Sequence, residues 1–233
     1  GLLAEAKKRG ADKEYPLFKG EDWRKQCLLW KKKYPVVTEK HYETLEEGCT
    51  NIYAFYGELS KAMKENETLM VSVGTSRVAG SQAFQVKKGQ RFITNPNTAS
   101  MGFCLPAATG IAVAQPGKAV VCVTGEGSLQ MNIQEMATAV VQEAPVIICL
   151  FNNYYLGMVR QMQQLFYGKR YEATCLRRRR TCPANCKGPN ASCPPYTPDF
   201  IALAKSYGAH GIRVEKEEDI QAALDEARTY TDA

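Results

Sequence analysis

AVVCVTGEGSLQMNIQEMATAVVQEAPVIICLFNN, residues 119–153, carries the alternation that decides the fold. Ala119–Thr124 is an apolar, β-branched run ending at Gly125-Glu126-Gly127. A helical stretch follows, with Ile133, Met136, Ala137, Val140 and Val141 at the i, i+3, i+4, i+7, i+8 spacing of a buried stripe. Pro145–Phe151 is a second apolar run, and it ends at Asn152-Asn153. Continuously apolar strands joined through a helix belong to a parallel sheet covered on both faces.

The same alternation extends in both directions. Upstream, Ile52–Met63 is helical, and Thr68–Val73 is a short strand ending at Gly74-Thr75-Ser76. Arg91–Thr94 is a strand candidate, followed by a loop and the small-residue helix Phe103–Ala114. Downstream, Leu156–Tyr167 is helical. Thr197-Pro198-Asp199 is a helix start with proline at the first helical position, and its helix is expected to bury Phe200, Leu203, Ala204 and Tyr207. Gly211–Glu215 is a strand, and a last helix buries Ile220, Ala223, Leu224 and Ala227. The fold class is therefore α/β, a parallel sheet with helices on both faces.

Residues 1–45 lack this alternation and are expected to be a leader separate from a main domain over 46–233. Leu2–Lys8 reads as a helix end, and Trp23–Lys33 as a basic amphipathic helix stopped at Pro35, with Trp23 and Trp30 on one face as packing anchors.

Of the 233 residues, 45% are hydrophobic and 23% charged, enough apolar material for one domain plus an appendage and too much for a disordered chain. No apolar run approaches the ~18–20 residues of a membrane span. Gly1–Gly10 has no apolar core of a signal peptide, so a cytoplasmic setting is expected; the missing initiator Met reads as a fragment or a processed chain. The net charge of +6 owes four of its positive charges to the run Arg177–Arg180. Without a basic stripe interleaved with aromatics, that run reads as a solvated loop, and neither nucleic acid nor membrane is an expected partner.

Ligands of open α/β sheets lie beyond the carboxyl ends of the strands. Three loops fall there: Gly74-Thr75-Ser76, Gly125-Glu126-Gly127 and Asn152-Asn153. Paired glycines at a strand–helix turn let backbone N–H groups approach an anion. A carboxylate and a carboxamide oxygen from neighbouring strand ends are hard ligands, suited to Mg²⁺ bridging to phosphate. Alone, the GEG turn is equally compatible with tight packing. The Asn-Asn pair at the end of the next strand makes the combination much more specific.

These residues resemble a known family. GEG followed by NN is similar to the thiamin-diphosphate motif, usually GDG…NN. The run GEGSLQMNIQEMATAVVQEAPVIICLFNNYYLGMVRQMQQLFYGKRY closely resembles the acetolactate synthase (acetohydroxyacid synthase) catalytic subunit. TASMGFCLPAATGIA resembles the stretch before that motif, and VSVGTS the family's first diphosphate loop. The resemblance covers about 45–171 and resumes at 197–215; residues 1–45 look like the end of the family's middle domain and its linker. It implies a diphosphate loop at Val73, Gly74, Thr75 and Ser76, with further anion contacts at Gly125, Gly127 and Ser128. It implies metal ligation by the Glu126 carboxylate, the Asn153 side chain and the Tyr155 carbonyl. Met101 becomes the apolar wedge that bends the cofactor, on the strength of its place in the SMGF run, where an isolated methionine is more commonly a core residue. Leu156, Gly157 and Met158 line the reaction centre. The implied reaction is pyruvate decarboxylation and carboligation to 2-acetolactate in branched-chain amino acid biosynthesis. The implied setting is a homo-oligomer with thiamin diphosphate and Mg²⁺, and with FAD in the intact enzyme.

The chain departs from the family pattern at several points. The motif aspartate is Glu126, whose extra methylene moves the carboxylate by about 1.5 Å. Thr75-Ser76 replace Gln-His, Ala99 replaces a glycine, and Met162 stands where a tryptophan is common, which favours pyruvate as acceptor. The pyrimidine-binding domain, which supplies the activating glutamate, has no counterpart here, so a partner domain of the same or another chain is required and little catalysis is expected alone.

Residues 172–196 are an insertion relative to the family, holding Cys175, Cys182, Cys186 and Cys193 of the chain's nine cysteines. Four thiols can ligate zinc, and Cys182 and Cys186 have ligand-pair spacing, but the outer gaps are long for a ribbon or knuckle. Surface thiols in a mobile loop are the favoured reading, with a metal site and reversible disulfides as alternatives. Asn190-Ala191-Ser192 matches a glycosylation sequon without meaning in a cytosolic setting, and His41 and His210 read as packing residues. The rivals to the main reading are another thiamin-diphosphate 2-oxo-acid enzyme, including an iron–sulfur-linked one, and a degenerate binding module.

Overall fold

The computed structural model describes residues 21–43, 50–183, 186, 193 and 198–230. The expected helix end at 2–8 and the sequon at 190–192 lie outside the described residues. Residues 1–38 and 39–233 form two compact units. In the first, α1 (Glu21–Lys33) ends just before Pro35 as expected, and Trp23 and Trp30 meet edge to face at 5.5 Å while both stay exposed.

The second unit runs α2 (Ile52–Ala62), β1 (Thr68–Val71), α3 (Thr75–Ala83), β2 (Arg91–Thr94), α4 (Cys104–Ala114) and β3 (Val120–Gly125). It continues with the short α5 (Glu126–Leu129), α6 (Glu135–Val141), β4 (Val146–Phe151), α7 (Gly157–Phe166), α8 (Phe200–Ser206) and α9 (Ile220–Ala227). The described strands make one parallel sheet of order β2-β1-β3-β4.

Register assigns the faces. Met70 pairs with Cys122, and Cys122 with Ile148, so these side chains share a face with Val120 and Val146. That face packs on Cys104, Ala108 and Ala112 of α4 and Ala139 of α6. Leu129 and Met136 extend the core to Phe200, Ala204 and Tyr207 around α8. The alternate residues face the other way, where Phe151 meets Phe55 of α2 at 4.7 Å. There α2 packs on α3 and on α9, whose Ile220 and Leu224 are buried.

An ion pair closes this second face. Arg228, just past α9, places Nε and Nη2 at 2.9 and 3.0 Å from the Glu67 carboxylate and donates to the Ala62 carbonyl. Both side chains are about nine-tenths buried.

Three expectations need correction, and one helix was missed. Gly211–Glu215 is not a strand: Gly211 approaches Ile201 so closely that a Cβ would meet its side chain at 3.1 Å, so the segment packs on α8 instead of pairing with β4. The helix over 75–83 escaped a reading tuned to apolar stripes, because its buried residues are Ser76, Ala79, Gly80 and Ala83. In α6, Ala139 takes the buried place; Ala137 and Val141 face solvent, since a 3₁₀ turn at Gln130–Asn132 shifts the helical phase. Pro198 precedes the N-cap rather than following it: Asp199 is the cap, accepting from the Ile201 and Ala202 N–H groups at 3.0 Å.

Among the described residues no helix is long and apolar enough to cross a membrane. His41 stacks on Tyr53, and His210 stacks on Tyr230 with Nε2 3.0 Å from Glu226; both are packing residues.

Candidate functional site

Strand order reverses between β1 and β3, because the chain leaves β1 toward β2 and returns past it to β3. At such a switch point the loops after the two strands diverge and leave a crevice. After β1, Gly74 caps α3 at φ 85°, ψ −152°, a region open essentially only to glycine. Thr75 is exposed, whereas Ser76 is buried and its carbonyl accepts from the Tyr56 hydroxyl at 2.8 Å. After β3, Gly125 leads directly into Glu126, the first residue of α5. The first-turn N–H groups there have no acceptor within the helix.

Glu126 is almost fully buried. Its Oε1 accepts from the backbone N–H of Asn153 at 3.2 Å and of Tyr155 at 3.1 Å. The same Tyr155 N–H donates to Asn153 Oδ1 at 2.9 Å. A carboxylate from the end of β3 and a carboxamide oxygen from the end of β4 are thus gathered on one amide. Burial pushes the Glu126 carboxyl above its ordinary range, against the opposing pull of the surrounding backbone N–H donors.

Tyr155 is held from its other side. Leu156 N–H donates to Thr174 O and Leu176 N–H to Tyr154 O, each at 2.9 Å, so Tyr155 and Cys175 form an antiparallel bridge. In a bridge of this kind the central residue turns its own N–H and C=O away from the partner strand. The Tyr155 carbonyl therefore faces the side occupied by Glu126 and Asn153.

Three residues form an apolar lip. A Cβ on Gly127 would meet Leu156 Cδ2 at 2.7 Å and Met101 Cε at 3.4 Å, and one on Gly74 would meet Met158 Sδ at 3.9 Å. Met101 is 37% exposed, so the core-methionine reading fails. Ala99, two residues earlier, has φ 51°, the left-handed region that favours glycine.

Ser128 serves a purpose the sequence did not reveal. Its Oγ lies 2.8 Å from Ser72 Oγ and accepts from the Gly102 N–H at 2.9 Å. The hydroxyl thus braces the Met101 loop against β1, and its backbone N–H is what remains for an anion. Ser72 was legible only as a polar residue closing an apolar strand. Arg177 was read only as part of the solvated run Arg177–Arg180; it is instead half-buried, with its guanidinium stacked on Tyr154 at 4.0 Å.

All these loops open into a cavity of about 1420 Å³. It is lined by Val73–Ser76, Ala99, Met101, Gly125–Ser128 and Asn153–Met158, and continues along β4 to 209–215. That exceeds the ~300–1,000 Å³ of an ordinary ligand site, because the cavity runs on along the flank of β4, where 211–215 does not pair as a strand.

Residues 72–233 match the family model described as thiamine pyrophosphate enzyme, C-terminal TPP binding domain. The chain belongs to this family. Its hard-oxygen pair and glycine-floored cradle fit a metal-bound diphosphate, so the family's cofactor suits the residues present. This TPP-binding domain is 32% identical over 212 residues to the acetolactate synthase isozyme 3 large subunit of Escherichia coli (strain K12), covering 91% of this chain and 33% of that protein. It is 37% identical over 165 residues to a probable acetolactate synthase large subunit of Methanococcus aeolicus, covering 71% and 24%. The chain spans about a third or less of these relatives. The crystal structure of benzoylformate decarboxylase from Polynucleobacter necessarius superposes with a TM-score of 0.67 at 23% identity, over 85% of this chain and 34% of that one. That likeness concerns the fold alone, a parallel α/β layer.

Proposed function

We infer that this domain holds thiamin diphosphate and Mg²⁺ for an acetolactate synthase-like transferase, as part of a longer enzyme. The Glu126 carboxylate, Asn153 Oδ1 and the Tyr155 carbonyl are the protein ligands of the metal. Backbone amides of Val73–Ser76 and of Gly125, Gly127 and Ser128 receive the diphosphate. Met101 is the wedge under the cofactor. Leu156, Gly157 and Met158 line the reaction centre and exclude water from it. The cofactor, when bound, supplies the electron sink that lets a 2-oxo acid such as pyruvate lose carbon dioxide and join a second 2-oxo acid.

The completing partner is a pyrimidine-binding domain, on the same or another chain of a homo-oligomer. This agrees with α7, which carries Met158, Met162, Leu165 and Phe166 exposed and has no buried residue. FAD in the intact enzyme, branched-chain amino acid biosynthesis and a cytoplasmic setting belong to the same reading. The similarity to acetolactate synthases favours it over another 2-oxo-acid enzyme or a degenerate module.

One observation carries the proposal: Glu126 and Asn153 converge on the Tyr155 N–H. Calorimetric titration of the chain with thiamin diphosphate, with and without Mg²⁺, tests it. Metal-dependent binding without pyruvate turnover is expected. Metal-independent binding, no binding, or robust turnover by the chain alone would overturn it.

A further inference from the structure

Arg177 belongs to the insertion by sequence but is held by the turn after β4. Leu176 N–H donates to Tyr154 O at 2.9 Å, Cys175 bridges Tyr155, and Arg178 N–H closes a turn on Cys175 O at 3.3 Å. The Arg177 guanidinium then lies over the Tyr154 ring at 4.0 Å. Cys175, Cys182, Cys186 and Cys193, expected as surface thiols, are half-buried, and among the described residues no three metal-ligating side chains come together.

The fork of Arg177 has no acceptor in the chain. Among the described residues no carboxylate pairs with it, and its Nε is buried without a hydrogen-bond partner. Arg228 is the satisfied counterpart, with Nε and Nη2 both on the Glu67 carboxylate. A cation drawn partly out of water without a counter-charge is costly, and a buried donor without an acceptor adds to the cost. The Tyr154 face relieves the charge but supplies no lone pair for Nε–H. Arg178 and Arg180 of the same run are exposed, so water already serves them.

Position says what could serve Arg177. It lines the large cavity together with Glu126, Asn153, Leu156 and Met158. Its platform, Tyr154, stands between Asn153 and Tyr155. We propose that Arg177 is an anion-binding residue of this cavity, its guanidinium receiving an oxyanionic group, phosphoryl or carboxylate, of the occupant. Either group presents paired oxygens that match two parallel N–H donors of a planar fork, Nε among them. The proposal rests on the thiamin-diphosphate reading for its two sources of that group, the diphosphate of the cofactor and the carboxylate of a 2-oxo acid.

The test is calorimetric titration of the full chain with inorganic pyrophosphate plus Mg²⁺ and, separately, with oxamate, in the unaltered protein, Arg177→Met and Arg178→Met. Arg177→Met keeps an unbranched stem over Tyr154 and removes the fork. It should lose at least about tenfold in affinity for one probe: pyrophosphate where the diphosphate is the group bound, oxamate where the carboxylate is. Arg178→Met removes the same charge one residue away and should change neither affinity by more than about twofold. In the unaltered chain the Nε–H resonance of Arg177 should move downfield as that probe is added, a readout that needs no variant to fold. Equal losses in the two variants, no loss in Arg177→Met, or an Nε–H signal that ignores both probes would overturn the proposal. Titration with thiamin diphosphate and Mg²⁺ separates the two readings. If the unaltered chain binds the cofactor and Arg177→Met leaves both probes unaffected, only the role of Arg177 falls. If the chain ignores the cofactor yet answers a probe through Arg177, only the cofactor reading falls.

Discussion

The backbone N–H of Tyr155 and Oε1 of Glu126 meet at 3.1 Å, joining the end of β3 to the turn after β4. This bond shows how the longer carboxylate is accommodated: its reach is taken up by backbone donors of the neighbouring turn. Glu126→Gln keeps an oxygen for those donors and removes the charge that a cation requires. We expect Mg²⁺-dependent thiamin diphosphate binding to weaken by at least about tenfold, ~1.4 kcal/mol, as read by calorimetry.

The same substitution reports on pH. Burial raises the Glu126 pKa in the folded state, so the folded chain holds that proton more tightly than the unfolded chain does. The resulting stabilisation is present below the unfolded carboxylate pKa and is lost as pH rises through the raised folded value. Without metal, Glu126→Gln should therefore be the more stable chain near neutral pH, and its advantage should shrink on acidification. Urea midpoints of both proteins across that range check it; an advantage that grows on acidification contradicts the sign.

Gly157 leaves room for the Asn153 carboxamide, since a Cβ at 157 would stand 3.0 Å from Nδ2. Gly157→Ala must displace that amide by a few tenths of an ångström, yet alanine opens a helix better than glycine. Metal-dependent cofactor binding should fall by roughly tenfold while the melting temperature holds or rises. Equal losses in both would mean that the glycine serves packing alone.

Ala99→Gly should stabilise the chain. Relief of the left-handed strain returns ~1–2 kcal/mol, and the greater freedom of the unfolded chain costs ~0.4–1 kcal/mol. A net gain of about 0.5–1 kcal/mol in denaturant unfolding is expected.

Arg228→Met strands the Glu67 carboxylate in the core and should cost about 3 kcal/mol. Adding Glu67→Gln removes the stranded charge and should restore a large part of the loss, a coupling that a double-mutant cycle measures directly.

The fold was legible where apolar runs and glycine turns coincide, as at Ala119–Asn153, because burial on both faces leaves a continuous signal. It was not legible where small or polar residues do the packing, as in Thr75–Ala83, nor where tertiary contact overrides propensity, as when Gly211 seats against Ile201. The loops in which the candidate site residues lie were readable as strand ends, because parallel topology fixes where those ends lie. The bracing by Ser72 and Ser128 and the approach of Arg177 depend on long-range pairing that no local pattern encodes.

Among the described strands Val146–Phe151 lies at the border of the sheet, with the large cavity along its flank. Six uncharged residues without proline, offering an outer row of amides and carbonyls, have the composition of an amyloid-forming hexapeptide. The strand that presents Asn153 is thereby also a template on which another molecule's backbone can add.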